Sequence, residues 1–174
     1  MTSSAKVFAR RSLRIYYWNC ESKVLDSYRM SFEIHLKRLG DLETVQIESL
    51  DDPAIKTADL LVIGAHLVEI EHFSTWLRGV RNRLIDQGAI WTPVLVLSET
   101  TFESLLEILL ESIADNWYFD IIAPRHLASL PIRVANLIRI HDHLHELRRY
   151  SQALEDINQK VVELEKQLIG VSRG

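Results

Sequence analysis

Residues capable of nucleophilic and acid–base chemistry follow several apolar segments of this sequence, where the turns after predicted strands would bring them together. They are Cys20, His66, Ser98 and Glu99. A cysteine beside a histidine can act as a nucleophile with its base. Because no loop with the donors of an oxyanion hole is recognisable, we favour the simpler interpretation that Cys20 is a small loop residue and His66 is solvated. We therefore expect no enzymatic activity.

Two histidines of the segment HDHLH have the spacing of metal ligands on a helix. His141 and His145 are four residues apart, and at that spacing both imidazoles can bind one ion. A third ligand is not evident, so we expect solvated histidines and no metal. We also expect no cofactor, because the turns after the predicted strands lack the glycine-rich sequence that holds pyrophosphate.

The elements that must position these residues alternate along the chain between strand and helix. Short apolar or β-branched runs predict strands, and apolar residues at helical spacing predict helices. The predicted strands are 13–18, 43–48, 59–65, 93–98 and 119–123. The predicted helices are 23–39, 69–87, 101–114 and 132–170, with Gly40 and Gly88 ending the first two. This order is typical of α/β proteins with a doubly wound, five-stranded parallel sheet in the flavodoxin-like order 2-1-3-4-5.

The same patterns predict which residues are buried. Residues 60–65 are continuously apolar, as in a central parallel strand covered on both faces, whereas 43–48 alternate with polar residues, as in an edge strand. Asp59 begins the third strand and is therefore expected at the amino edge of the sheet. The predicted inner face of the second helix consists of Ile70, Phe73, Leu77, Val80, Leu84 and Ile85.

The chain resembles the receiver domain of bacterial response regulators over residues 13–144. The resemblance rests on the order of elements, on Ser98 followed by a Leu/Ile-rich helix, and on the motif FDIIAP before the last helix. It implies a CheY-like fold in two-component signal transduction. Ligands of such sheets bind outside the carboxyl ends of the strands, so we expect the site there.

The residues at those strand ends depart from the receiver pattern. Receivers have an acidic pair after strand one, a phosphorylated Asp after strand three, a hydroxyl after strand four and Lys-Pro after strand five. The matched positions here are Trp18 and Asn19, Gly64, Ser98, and Ala123 and Pro124. Aspartyl phosphorylation needs a carboxylate nucleophile, acidic oxygens for Mg²⁺ and a cation for the phosphoryl oxygens. The resemblance therefore implies a pseudo-receiver with a degenerate pocket and phosphorylation-independent signalling.

A heptad pattern runs along the last predicted helix. Apolar residues recur at intervals of seven, and a second set follows three residues after the first. The predicted dimer interface consists of Ile140, His143, Leu147, Tyr150, Leu154, Ile157, Val161, Leu164 and Leu168. Such a stripe is unfavourable in water, so we expect a parallel coiled-coil homodimer with a Lys160–Glu165 pair between chains.

The amino-acid composition excludes several classes of protein. The chain has 174 residues, 47% of them hydrophobic, one cysteine and a net charge of -4. It is too apolar for a disordered protein, has too few cysteines for an internal disulfide, and has no charge excess that favours nucleic acid. Neither a signal peptide nor a membrane span is recognisable. We expect a cytoplasmic protein with no membrane partner and no direct nucleic-acid binding.

The predicted organisation is a flexible basic arm (1–12), a pseudo-receiver domain (13–144), a coiled-coil helix (145–170) and a tail (171–174). We expect a signalling and dimerisation module whose protein partner binds near Trp117, Tyr118 and Phe119. Alternatively, the chain is the N-terminal regulatory part of a larger regulator, because a coiled coil after a receiver resembles the helix that leads into a diguanylate cyclase or a sigma-54-dependent transcription activator. The last residues, LIGVSRG, resemble the opening of the ATPase domain of such activators. In a second alternative, the degenerate pocket binds a small ligand such as a second messenger.

Overall fold

The computed structural model contains one five-stranded, all-parallel sheet. It describes residues 11–21, 23, 26–27, 29–30, 34, 40–65, 68–98 and 118–171. The strands are β1 (Arg11–Trp18), β2 (Gly40–Ile47), β3 (Leu60–Gly64), β4 (Val94–Leu97) and β5 (Phe119–Ile122). Their order is β2-β1-β3-β4-β5, and every neighbouring pair is parallel. The predicted flavodoxin-like α/β fold is confirmed.

Apolar side chains of the strands pack on both faces of the sheet. The central strand β3 is buried along its whole length, because successive residues point to opposite, covered faces. Leu61 and Ile63 belong to one core, which contains Phe73 and Leu77 of helix α1 (Ile70–Asp86). The other core contains the first buried residues of helix α2 (Leu130–Val171). These residues are Leu130, Val134, Leu137 and Ile138.

Helix α1 ends as its sequence predicts. Gly88 has a φ of +68°, in the left-handed region that glycine adopts without steric cost. Its N–H donates to the Ile85 carbonyl at 2.8 Å, and the Ala89 N–H donates to the Leu84 carbonyl at 2.7 Å. These two bonds form a Schellman motif. The prediction for Ile85 is wrong, because this side chain is 43% exposed, one position around the helix from the buried Leu84.

The structure also corrects the boundaries near the start of the chain. Arg11 and Ser12, predicted to be part of a flexible arm, belong to β1 and pair with Gly40 and Asp41. Gly40 accordingly begins β2, and the predicted end of the first helix at residue 39 lies outside the described residues. Pairing between two distant segments extends both strands, and neither segment reveals this alone.

Shorter helical segments connect the strands. A 3-10 helix over Pro53–Thr57 is capped by Asp52, whose carboxylate accepts a bond from the Ala54 N–H at 2.8 Å. A second one, Pro124–Ser129, precedes α2. Between β1 and β2 the described residues from 23 to 34 are helical, as predicted. The predicted helix 101–114 lies outside the described residues.

The chain divides into two units, residues 1–140 and 141–174. The first contains the sheet and both apolar cores. The second contains the remainder of α2, which is continuous to Val171. No helix in the described part of the chain is long and apolar enough to cross a membrane.

Candidate functional site

The predicted pocket residues lie at one edge of the sheet, at the ends of four adjacent strands. Trp18 is opposite Ile63 in the β1–β3 pair, and Gly64 is opposite Leu97 in the β3–β4 pair. Ser98 follows β4, where its N–H donates to the Ile122 carbonyl at 3.0 Å. Ala123 and Pro124 follow β5. We call this row of strand ends the carboxyl edge.

Gly64, the position matched to the phospho-acceptor, is in contact with the loop after β1. A Cβ atom at this position would lie 1.9 Å from the Asn19 carbonyl oxygen and 2.8 Å from its carbonyl carbon. It would also lie 3.2 Å from the Cα of Cys20. Backbone atoms thus fill the space in which any side chain at position 64 would begin. With this loop conformation, the position accepts only glycine.

Asn19 adopts the conformation that brings its carbonyl to Gly64. Its φ is 53°, in the left-handed region where asparagine is several-fold enriched among non-glycine residues. Its side-chain Nδ2 donates to the Gly64 carbonyl at 2.9 Å. The loop is therefore held against β3 by a side-chain hydrogen bond as well as by close packing.

Cys20, the next residue, is turned into the protein. Its thiol lies 3.4 Å from the Trp18 carbonyl oxygen and 3.9 Å from that of Val62. Burial raises the pKa of the thiol from 9.0 to about 12, and backbone hydrogen bonds at Gly64 and Trp18 offset only part of this. Because the thiolate is the nucleophilic form, Cys20 is a weak nucleophile at neutral pH. His66 and Glu99, the other partners considered for it, lie outside the described residues.

Charged groups are not found at the matched positions of the carboxyl edge. Ser98 is 1% exposed, and Trp18, Asn19, Gly64 and Ala123 carry neither a carboxylate nor a cation. A buried carboxylate exists at the amino edge, as predicted: Asp59 accepts a bond from the Arg14 N–H at 2.8 Å. The two edges are separated by the length of β3, so Asp59 lies away from the matched positions.

An ion pair that the sequence does not predict joins β5 to α2. Arg133 Nη1 lies 2.6 Å from Asp120 Oδ1 and also donates to the Ile121 carbonyl at 3.4 Å. Its Nε donates to Ser129 Oγ at 3.3 Å. Both side chains of the pair are about two-thirds buried. These bonds orient the first turn of α2 against the last strand.

The predicted interface of α2 is exposed on the single chain. We define the apolar stripe by its described members in the second unit. They are Leu147, Tyr150, Leu154, Ile157, Val161 and Leu164. Their exposure ranges from 47% for Val161 to 68% for Tyr150. Ile140 and His143 are also exposed, whereas the Leu168 side chain lies outside the described residues.

The remaining predicted residues form no site in the described part of the chain. The rings of His141 and His145 meet edge to face with centroids 5.8 Å apart, but the described residues contain no group of three metal-ligating side chains. His145 is exposed as predicted, whereas His141 is half-buried with Nδ1 3.8 Å from Asp142 Oδ1. Tyr118 is half-buried, Phe119 packs against the α1 core, and Trp117 lies outside the described residues.

Comparison with known proteins gives matches in structure only. No protein-family model and no curated protein matches the chain. A flavodoxin from the domain Archaea is 10% identical with a TM-score of 0.43, and the match covers 74% of this chain and 99% of that one. A Fusobacterium nucleatum flavodoxin bound to flavin mononucleotide is 12% identical with a TM-score of 0.40, covering 74% and 95%. A flavo di-iron protein from Thermotoga maritima is 12% identical with a TM-score of 0.41, covering 73% and 35%.

These similarities concern the fold alone. The flavin and the di-iron centre named for those structures belong to those proteins. None of the three is a receiver domain, so the resemblance to response regulators stays a prediction based on the sequence.

Proposed function

We propose that the chain is a phosphorylation-independent signalling module of the receiver type, which acts as a homodimer through α2 and is not an enzyme. The observation that carries this proposal is that the backbone of Asn19 occupies the space beside Gly64, a feature that we call the closed edge. The module then transmits the binding of a partner through α2, and its partners are a protein or an output domain of a signalling pathway.

The closed edge supports independence from phosphorylation on two grounds. The matched positions supply no carboxylate to attack a phosphoryl group and no cation to neutralise it. In addition, the Asn19 carbonyl points at the site where an acceptor side chain would begin. A partial negative charge there disfavours a phosphoryl group as well as a small anionic ligand.

The apolar stripe supports the homodimer. Monomeric proteins rarely expose large contiguous apolar surfaces, and the heptad spacing of the stripe is the pattern by which helices bury such residues in each other. A role as the N-terminal regulatory part of a larger regulator is compatible with the same dimer and stays a prediction.

The first test is phosphorylation. The full chain is incubated with acetyl phosphate and Mg²⁺, and its intact mass is measured beside a receiver domain that carries the acceptor aspartate. We expect an adduct on that receiver and none on this chain. A stable adduct on this chain would overturn the proposal.

The second test is assembly. Leu154→Glu places a charge in the apolar stripe, whereas Gln159→Glu makes the same charge change on the outer face of the helix. Sedimentation equilibrium should show a dimer for the unmodified chain and for Gln159→Glu, and a monomer for Leu154→Glu. If Leu154→Glu remains a dimer, α2 is not the assembly element.

A further inference from the structure

We infer that the second copy of the chain lies parallel to the first and in register with it, with Lys160 of each chain paired to Glu165 of the partner subunit. This inference rests on the proposed function, because it presumes the homodimer. It adds the direction and the alignment of the two helices, which decide which residues of the two chains face each other.

The apolar stripe defines two seam positions of the heptad. The first is occupied by Leu147, Leu154 and Val161, and the second by Tyr150, Ile157 and Leu164. All six side chains are exposed on the single chain. In a coiled coil these positions form the core, and the residues directly beside them form pairs across the interface.

Few of the residues beside the stripe are charged, and the charged ones are unevenly distributed along it. On one side lie Glu146, Ala153, Lys160 and Gln167, and on the other lie Leu144, Ser151, Asn158 and Glu165. In a parallel, in-register dimer, a residue on the first side faces the residue five positions later on the second side of the partner. Lys160 then faces Glu165 of the partner subunit, and symmetry gives this pair twice. The other facing pairs, 146 with 151 and 153 with 158, contain no like charges.

An antiparallel dimer with full overlap loses both ion pairs. Such a dimer packs Leu154 against Ile157 of the partner subunit and pairs each side of the stripe with the same side of the other chain. Lys160 then faces Ala153, and Glu165 faces Leu144, so each charge lies against an apolar side chain. The stripe fits either direction, but the charges fit only the parallel one.

Disulfide trapping distinguishes the two directions. Leu147→Cys and Leu164→Cys are made separately, 17 residues and about 25 Å apart along the helix; the antiparallel dimer described above packs these two positions against each other. Cys20 can stay in place because it is partly buried, and the unmodified chain serves as the control for it. Each variant alone, and an equal mixture of both after subunit exchange, is oxidised with a glutathione redox pair and separated without reductant. Sedimentation of the reduced samples gives the oligomeric state.

The parallel, in-register dimer predicts that each variant forms a disulfide with its own copy and that the mixture contains no disulfide between different variants. A dimer that yields only the mixed disulfide, or none, would overturn the inference while leaving the proposed homodimer intact. A monomer in sedimentation would overturn the proposed assembly and the inference with it.

Charge reversal tests the pair itself. Lys160→Glu and Glu165→Lys each convert two attractions into two repulsions and should each weaken dimerisation about tenfold at low salt. The double variant restores the attraction and should recover the original dissociation constant. Lys166→Glu changes the same charge on the outer face and should have little effect. If the double variant is weaker than either single one, Lys160 and Glu165 do not face each other.

Discussion

The carboxyl edge of the sheet and the apolar stripe of α2 differ in where their polar and apolar groups find partners. At the carboxyl edge, the loop after β1 packs against β3, with Asn19 hydrogen-bonded to Gly64 and Cys20 partly buried. Along the stripe, leucine, isoleucine and tyrosine side chains are exposed to water. In the described part of the chain, the space beside Gly64 is therefore filled by backbone, whereas the apolar stripe is exposed on the single chain.

The largest predicted effect concerns the accessibility of Cys20. A pKa of about 12 in place of 9.0 lowers the thiolate fraction at pH 8 roughly a thousandfold, because each pKa unit is a factor of ten. Reaction with Ellman's reagent should be slow in the folded protein and fast in urea. Fast reaction in the folded state would show that the carboxyl edge opens.

The same pKa predicts how stability depends on pH. Above pH 9 the unfolded chain releases the thiol proton, whereas the folded chain keeps it until about pH 12. The unfolded state therefore binds fewer protons in this range, and this thiol lowers the free energy of unfolding as the pH rises. Urea denaturation gives the free energies of unfolding of Cys20→Ala and of the unmodified chain, and these two values should converge between pH 8 and 10.

The next prediction compares the changes in stability caused by alanine at two glycine positions. Gly64→Ala introduces a Cβ at 1.9 Å from the Asn19 oxygen, and we expect a loss of about 3 kcal/mol from overpacking against backbone. Gly79→Ala meets nothing within 4 Å in the middle of α1, and we expect a gain of roughly 0.5–1 kcal/mol from helix propensity. Urea denaturation measures both. Equal effects would mean that the loop yields easily and that the edge is not closed.

Substitutions of Asn19 should lower the stability less than Gly64→Ala does. Asn19→Gly keeps the left-handed backbone and loses the bond to the Gly64 carbonyl, which should cost about 1 kcal/mol. Asn19→Ala loses the bond and strains the backbone as well, adding about 1 kcal/mol. Denaturation of the two variants separates the hydrogen bond from the conformation. If Asn19→Ala is as stable as Asn19→Gly, the positive φ contributes nothing to the closure.

Breaking the ion pair between β5 and α2 should have the smallest effect on stability. Asp120→Asn should cost about 1 kcal/mol, since the pair is partly buried and Arg133 keeps its other two acceptors. Glu43→Gln removes the partner of Arg14 in a more exposed pair on β1 and β2, and should cost less. If Glu43→Gln lowers the free energy of unfolding more than Asp120→Asn does, Asp120 does not hold α2 to the sheet.

The sequence predicts those features that depend on local patterns. Strand positions follow from apolar runs, the edge position of β2 follows from its alternation, and the end of α1 follows from Gly88. Long-range contacts escaped prediction, since they join residues far apart in the chain. Asn19 and Gly64 are separated by 45 residues and Asp120 and Arg133 by 13, and only the fold brings them together.

The sequence predicts where the site lies, but it does not predict that the loop after β1 fills the space beside Gly64. Matching strand ends indicated which residues share the carboxyl edge, since ends of parallel strands meet. That the loop after β1 fills the space beside Gly64 depends on one backbone angle at Asn19, and an asparagine after a strand allows this angle without requiring it. A glycine matched to an acceptor position was the one available signal, because a close backbone approach is a common reason for glycine there.

Sedimentation velocity of the full chain, with and without acetyl phosphate and Mg²⁺, tests the central claim most directly. The closed edge and the apolar stripe together predict a dimer of the same mass and the same dissociation constant in both conditions. A monomer that becomes a dimer only with acetyl phosphate and Mg²⁺ would contradict the claim that assembly is independent of phosphorylation.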